Sequence, residues 1–487
     1  MTARAVMVCG TSSGAGKSLL TTALARWYAR RGLKVAPFKA QNMSNNARVV
    51  AGGEIGSAQY FQALAARADP DVRMNPVLLK PERDNHSQVI LLGRRHDELS
   101  AMEWRARADV IWPVILSSLR DLLATNDVVV IEGAGSPAEI NLQSTDVVNM
   151  RVAEAAAAAT LIVSDIDRGG AFAHLYGTFK LLPAPHQALI RGFVLNKFRG
   201  DGALLAPGPQ MLRQLTGVPT LAVLPMWRDH GLPEEDGVFD ASGSTGCVIG
   251  IVAYPHISNL DEFAALNRVP GLSVCWARRP QSVARADVLV LPGSKHVASD
   301  LGWLRSQRLD AAVAAHIAAG KPTLAICGGL QMLGTGVLDP HGVEGAATGL
   351  GLLPYVTELQ RIKRCFRGTY RLSATDGFWR ALGGAEFAGY EIRHGETQPE
   401  GTVPKPAEAA PLRPVLGEGL GWQCGQVLAL YVHGLFESAE VMRRLFGVAA
   451  PSLDDTLEGL ADFADRHFEP GALLSLVSGS VGPSPGT

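Results

Sequence analysis

Two short runs hold residues whose types and spacing can do chemistry. The first is Gly10-Thr11-Ser12-Ser13-Gly14-Ala15-Gly16-Lys17-Ser18, between the apolar run Ala5-Val6-Met7-Val8-Cys9 and the helical pattern that begins at Leu19. Strand, glycine-rich loop and helix in that order form the setting of a P-loop. Small residues let backbone N–H groups turn toward phosphate oxygens, and the helix N-terminus adds its positive dipole end. Gly14 and Gly16 shape the loop, Lys17 is placed to reach β- and γ-phosphates, and Ser18 to hold Mg²⁺. The spacing departs from the strict motif, because Gly10 lies one position early and Thr11 stands where the first glycine belongs.

The second run is Pro322-Thr323-Leu324-Ala325-Ile326-Cys327-Gly328-Gly329-Leu330-Gln331. A buried-looking strand stops at Cys327, two glycines follow and an apolar helix begins, which is the cysteine counterpart of a nucleophile elbow. The turn lifts the sulfur above the sheet, and the helix N-terminus favours its thiolate. His433, in Leu430-Tyr431-Val432-His433-Gly434-Leu435-Phe436-Glu437, ends another strand and is the candidate base, with His394 as its main competitor. A cysteine nucleophile with a histidine base gives thioester chemistry on an amide. Backbone N–H groups near Gly293-Ser294 and after Cys327 would form the oxyanion hole.

Further candidates follow other strands. Lys39-Ala40-Gln41-Asn42-Met43-Ser44-Asn45-Asn46 combines a lysine with amides suited to phosphate and carboxylate or carboxamide groups, although such a stretch also reads as a turn. Glu132, closing Val128-Val129-Val130-Ile131, is a Walker-B-like Mg²⁺ ligand. Asp165-Ile166-Asp167-Arg168-Gly169-Gly170 suits either a metal or phosphate contact or a local salt bridge, and Asn196 has the amide needed to read an adenine edge.

The elements that must position these residues alternate strand and helix from Arg4 to about Leu224, with strands at Val35–Phe38, Val89–Leu92, Asp127–Ile131, Thr160–Val163, Ile190–Leu195 and Leu221–Leu224. That alternation means a doubly wound, mainly parallel sheet whose ligands sit beyond the carboxyl ends of the strands. A polar, glycine-rich stretch interrupts the pattern before strands resume at Val248. The expected division is a P-loop domain over 1–232, a linker over 233–246, a second α/β domain over 247–450, and a C-terminal helix with a disordered tail over 451–487. At 487 residues the chain exceeds one ordinary core.

A net charge of -1 argues against a general basic face for nucleic acid. The six cysteines form no C-x-x-C pair, so neither a zinc framework nor a disulfide scaffold is expected, and a reducing cytoplasm is the default. No signal-peptide pattern or membrane span is expected, and a homo-oligomer is compatible with the composition.

The first half resembles dethiobiotin-synthetase-like ATPases through Gly14-Ala15-Gly16-Lys17-Ser18 and Glu132-Gly133-Ala134-Gly135, and the second resembles flavodoxin-like class I glutamine amidotransferases through Cys327-Gly328-Gly329 and His433-Gly434. The fused order is similar to the cobyric acid synthase family, on Pro37-Phe38-Lys39-Ala40-Gln41-Asn42-Met43, Asn75-Pro76-Val77-Leu78-Leu79-Lys80-Pro81, Glu132 to Leu142 and Asp165 to Gly170. The resemblance implies amidation of the b, d, e and g side-chain carboxylates of adenosylcobyrinic acid a,c-diamide, a corrinoid polycarboxylate, using ATP, Mg²⁺ and glutamine. It implies Gly14, Gly16, Lys17, Ser18, Lys39 and Asn196 at the nucleotide, Ser18 and Glu132 at the metal, and Cys327 and His433 in glutamine hydrolysis. One departure stands out. Class I amidotransferases place a glutamate two residues after the base, and here that position is Leu435; Glu437 would substitute, or the site would work as a dyad. The readings that compete with this one are the related a,c-diamide synthase and a nucleotide-switched binding module with an inactive amidotransferase-like domain.

Overall fold

In the computed structural model, which describes residues 4–83, 86–228, 230–233, 246–400, 410–417, 419–448 and 452–478, the apolar runs of the first half become six parallel strands. These are β1 (Arg4–Gly10), β2 (Val35–Phe38), β3 (Val128–Glu132), β4 (Ala159–Asp165), β5 (Ile190–Phe198) and β6 (Thr220–Pro225), in the order β6-β5-β4-β1-β3-β2. Side chains alternate across a strand, so Ala5, Met7 and Cys9 enter one core while Val6 and Val8 enter the other. Burial on both faces is why these strands read as continuous apolar runs. The run at Val89–Leu92 is a strand as expected, but it does not belong to this sheet. His86–Leu91 pairs antiparallel with Val77–Arg83 in a small side sheet, since pattern alone does not select a partner.

The second half forms β7 (Cys247–Val252), β8 (Leu272–Ala277), β9 (Val288–Leu291), β10 (Thr323–Ile326), β11 (Arg413–Leu416), β12 (Gly421–Cys424) and β13 (Val427–Leu430). Their order is β8-β7-β9-β10-β13-β12-β11, parallel except for the antiparallel β13-β12-β11 edge. A long hairpin, Tyr355–Arg371 against Glu386–Pro399, projects from this domain and carries Tyr390 to His394. The chain is thus an α/β protein with two doubly wound sheets. The expected linker 233–246 lies, apart from its ends, outside the described residues.

Helix α1 (Lys17–Arg30) follows the P-loop, α2 (Gly328–Leu333) follows Cys327, and α3 (Leu453–His467) is the acidic C-terminal helix. Helix α3 starts on a capping box between Ser452 and Asp455. It then returns to the first domain: Leu457, Leu460, Ala461 and Ala464, one helical face, share a core with Leu20, Leu24 and Tyr28 of α1. Above that seam, Arg26 and Arg67 meet Glu458 at 3.2 and 2.8 Å, and Arg31 meets Asp465 at 2.8 Å. The pairs of Arg67 and Arg31 are part exposed and contribute little each, while buried Arg26 also has Asp454 as a second partner; the apolar face supplies most of the hold. The disordered tail expected at the end of the chain falls, for residues 479–487, outside the described residues. Among the described residues no helix is long and apolar enough to cross a membrane.

Leu460 has no exposed surface. Leu460→Ala is expected to lower the stability of the first domain by about 2–5 kcal/mol, measured by denaturant unfolding, whereas Glu458→Gln should change it far less.

Candidate active sites

The P-loop lies at the carboxyl end of β1. Gly14 and Gly16 hold left-handed φ values of 71° and 100°. A Cβ on Gly16 would come within 2.0 Å of the Asn196 side-chain nitrogen, so both backbone conformation and space demand glycine there. Lys17 lies across the loop, its Nζ donating to the carbonyls of Ser12 (3.0 Å) and Gly135 (3.3 Å).

Strand β3 pairs with β1 so that Val8 lies opposite Glu132, which brings the strand-end carboxylate beside the P-loop. Ser18 Oγ donates to Glu132 Oε1 at 2.9 Å, Lys39 Nζ reaches the same oxygen at 2.9 Å, and Gln62 Nε2 donates to Oε2. Burial opposes ionisation of Glu132, but the Lys39 charge and these hydrogen bonds overcome it and hold its pKa below the usual carboxylate value. A hydroxyl and an ionised carboxylate in contact are hard oxygen donors that fit Mg²⁺, which takes few protein ligands beside nucleotide phosphates. Ser18, Glu132 and Lys39 are therefore brought together.

Asn196 stands beside the P-loop. Its Nδ2 donates to the Ala15 carbonyl at 2.9 Å and its Oδ1 accepts from the Lys197 N–H at 2.9 Å. The first of these bonds ties the amide to the P-loop. Of the two readings of the Asp165 segment, the geometry matches the salt bridge. Asp165 meets Lys197 at 3.1 Å and Arg168 at 3.5 Å, and Asp167 accepts from Arg199 Nε at 2.8 Å.

In the second domain β10 and β13 are parallel neighbours, with Ile326 opposite Leu430, so the residues just past their ends are adjacent. Cys327 follows β10 with φ 50° and ψ −104°, an unusual backbone for a residue with a Cβ, and caps α2. Its N–H donates to the Leu430 carbonyl at 2.7 Å, which fixes the elbow to β13. His433, past β13, exchanges backbone hydrogen bonds with Tyr390 of the long hairpin (2.9 and 3.2 Å), and the two rings stack at 5.2 Å and 19°. Cys327 and His433 thus stand just past the ends of adjacent strands, where the thiol acts on the imidazole and raises its pKa; Cys327 Sγ also lies 3.8 Å from the Ile392 carbonyl oxygen. His394 is not in this pair; its Nδ1 is engaged with the Gln360 carbonyl at 2.9 Å.

The third group is neither absent nor Glu437. It is Glu262, fully buried, whose Oε1 meets His433 Nδ1 at 2.9 Å while Oε2 accepts from the Gly434 N–H at 3.0 Å. Glu437 instead pairs with Arg48 at 2.6 Å. Burial disfavours an imidazolium at His433, but the Glu262 charge and the hydrogen bonds to Cys327 and Glu262 outweigh it and raise its pKa well above the usual imidazole value. Glu262 escapes sequence reasoning because 171 residues separate it from His433. The available signal was the acidic pair Asp261-Glu262, in the loop and short helix that follow the first strand of the second sheet. With a carboxylate behind the histidine, the feature that suggested an inactive domain, Leu435, loses its force.

The oxyanion side is also assembled. The Lys295 N–H donates to the His256 carbonyl at 2.8 Å, and the alternation of an antiparallel ladder turns the Ser294 N–H away from that partner strand. A Cβ on Gly328 would lie 2.6 Å from the Ser294 nitrogen, so this N–H sits beside the start of α2. The cavity beyond Cys327 is lined by Gln331, Glu344, Arg393 and His394 of the second domain and by Asn45 and Lys80 of the first. It opens on the domain interface. Across that interface Glu54 takes Lys80 from its own domain and Lys363 from the other, both at 2.5 Å. Burial would raise the Glu54 pKa, yet the two lysines bring it down to about 2.

Comparison with known proteins matches two family models to the chain. A model of the CobQ/CobB/MinD/ParA nucleotide binding domain matches residues 6–236, and a model of the CobB/CobQ-like glutamine amidotransferase domain matches residues 248–441. The chain is 61% identical over 484 residues to a cobyric acid synthase from Variovorax paradoxus (strain S110), covering 98% of this chain and 100% of that relative. It is 60% identical over 487 residues to a cobyric acid synthase from Polaromonas naphthalenivorans (strain CJ2), covering 98% of this chain and 100% of the relative. With both domains matched and the relatives spanned end to end, the chain belongs to the cobyric acid synthase family, the glutamine-hydrolysing amido-ligases of cobalamin biosynthesis.

Proposed function

We propose that this enzyme amidates the b, d, e and g side-chain carboxylates of adenosylcobyrinic acid a,c-diamide, yielding adenosylcobyric acid. The observation that carries the reading is the line Cys327–His433–Glu262 in the same chain as a complete Lys17–Ser18–Glu132 nucleotide cradle. In the second domain, Cys327 Sγ attacks the side-chain amide carbon of glutamine, and the carbonyl oxygen turns to the N–H groups of Ser294 and Gly328. His433 gives its proton to the departing nitrogen, which leaves as ammonia, and then takes a proton from the water that releases glutamate from the thioester. Glu262 keeps the imidazole in the tautomer and orientation that both steps need.

In the first domain, a substrate carboxylate oxygen attacks the γ-phosphorus of ATP and ADP departs, leaving an acyl phosphate. Lys17 and the P-loop N–H groups carry the growing charge on the phosphate oxygens. Ser18 and Glu132 would hold Mg²⁺, which would supply further neutralisation of phosphate charge. Ammonia then displaces phosphate from the acyl carbon to give the amide. The cytoplasm is the compartment this chemistry fits, since a catalytic thiol needs reducing surroundings.

Product mass after incubation with the a,c-diamide, ATP, Mg²⁺ and glutamine tests the substrate, and failure to gain amides would exclude it. Cys327→Ala is expected to lower glutamine-driven amidation by about a thousandfold or more while ammonia-driven amidation persists. Lys17→Ala should abolish both. A pH test addresses Glu262. A raised His433 pKa keeps the imidazolium present from below the unperturbed imidazole pKa up to the raised one, and its charge is lost above it. Glu262→Gln removes the charge that raises it. The alkaline limb of glutaminase kcat/KM should therefore move to lower pH by about one to three units, with ammonia-driven turnover unaffected.

A further inference from the structure

The histidine at the glutaminase centre is supported by groups that are themselves held by the other domain. Asn259 carries both contacts in one side chain. Its Oδ1 accepts from the backbone N–H of Ala47, in the first domain, at 3.0 Å. Its Nδ2 faces His433 Nε2 at 3.4 Å. The next residue, Leu260, donates its N–H to Asn46 Oδ1 at 3.1 Å. Asp261 is paired with Arg48, Nε to Oδ2 at 3.0 Å, with both side chains buried. The residue after that is Glu262, which orients His433. The Arg48 guanidinium also lies 4.8 Å from the centre of the Tyr390 ring, whose other neighbour is His433. Three consecutive residues of the first domain, Asn46, Ala47 and Arg48, thus hold the turn behind the imidazole and the ring stacked on it.

These three residues lead into the hairpin Ala47–Val50 against Gly53–Gly56, which runs directly into the helix Ser57–Ala65. Gln62 on that helix donates to Glu132, the carboxylate beside the P-loop. A continuous set of contacts therefore connects the nucleotide cradle with His433. We propose that Asn259 is a positioning residue that sets the imidazole of His433 according to the place of this hairpin, so that occupancy of the first domain governs the rate at which glutamine is cleaved. The inference rests on the glutaminase reading given above. Coupling through such contacts requires an element whose position both sites bias, and the hairpin with its helix is that element.

Asn259 also has a left-handed backbone, φ 55°, a conformation asparagine adopts readily. A plain turn role and the positioning role are separated by Asn259→Gly, which keeps the backbone and deletes only the amide. Glutamate release is measured for the full-length enzyme with and without ATP and the corrinoid acid, beside ammonia-driven amidation and the thermal midpoint. In the unaltered enzyme the first-domain substrates are expected to raise glutaminase kcat by about fivefold or more. In Asn259→Gly that stimulation should be lost, with glutamine KM and ammonia-driven amidation unchanged. Asn46→Ala, made in the other domain, should show the same loss. Stimulation retained in either variant, or no stimulation in the unaltered enzyme, overturns the proposal. Absence of any glutamate release from the unaltered enzyme would instead overturn the functional reading itself.

Discussion

Glu262 is a carboxylate with no exposed surface, and a charge so placed is tolerable only when both its oxygens are taken. The imidazole of His433 takes one and the Gly434 N–H the other. Much of the second domain follows from this demand. The chain after β7 must deliver the carboxylate beneath the loop after β13, and Gly434, at φ 92°, turns its N–H inward. The hairpin must then seal the opposite face with Tyr390. What results is a histidine enclosed on every side except toward Cys327.

The same rule operates at the seam between the domains. Arg48 pairs with Asp261 and Glu54 with Lys363 across it, and Arg48, Asp261 and Glu54 are almost wholly removed from water. Replacing one member of such a set leaves an uncompensated charge in a low dielectric, which costs more than the pair gains. The seam is therefore specific rather than merely adhesive: few alternative dockings of the two domains would pair these groups. An apolar seam of similar area would tolerate sliding, and a slide of one residue would separate Ala47 from Asn259.

Local features were legible in the sequence to the extent that their causes are local. The P-loop glycines, the strand ending at Glu132 and the Cys327 elbow each announce themselves within ten residues, because their chemistry depends on one turn. His433 was found as the end of a strand, and topology made it the neighbour of Cys327. Glu262 was not found, because its role exists only through a contact between distant segments. Asn196 is legible as a strand end, whereas its bond to the Ala15 carbonyl joins residues 181 apart. The run at Val89 announced a strand without announcing its sheet. The C-terminal helix was visible as a helix, while its docking site on α1 was encoded in a matching apolar stripe more than 400 residues away.

That docking has a consequence for how the molecule is made. One face of the first sheet is covered by α1, and α1 in turn is covered by Leu457, Leu460 and Phe463, which leave the ribosome only after the second domain. The N-terminal domain cannot finish its core during its own synthesis and must wait, with that helix uncovered, until the entire second domain has emerged. A gene divided at the linker would therefore yield a first half that lacks its own cover, however complete its P-loop.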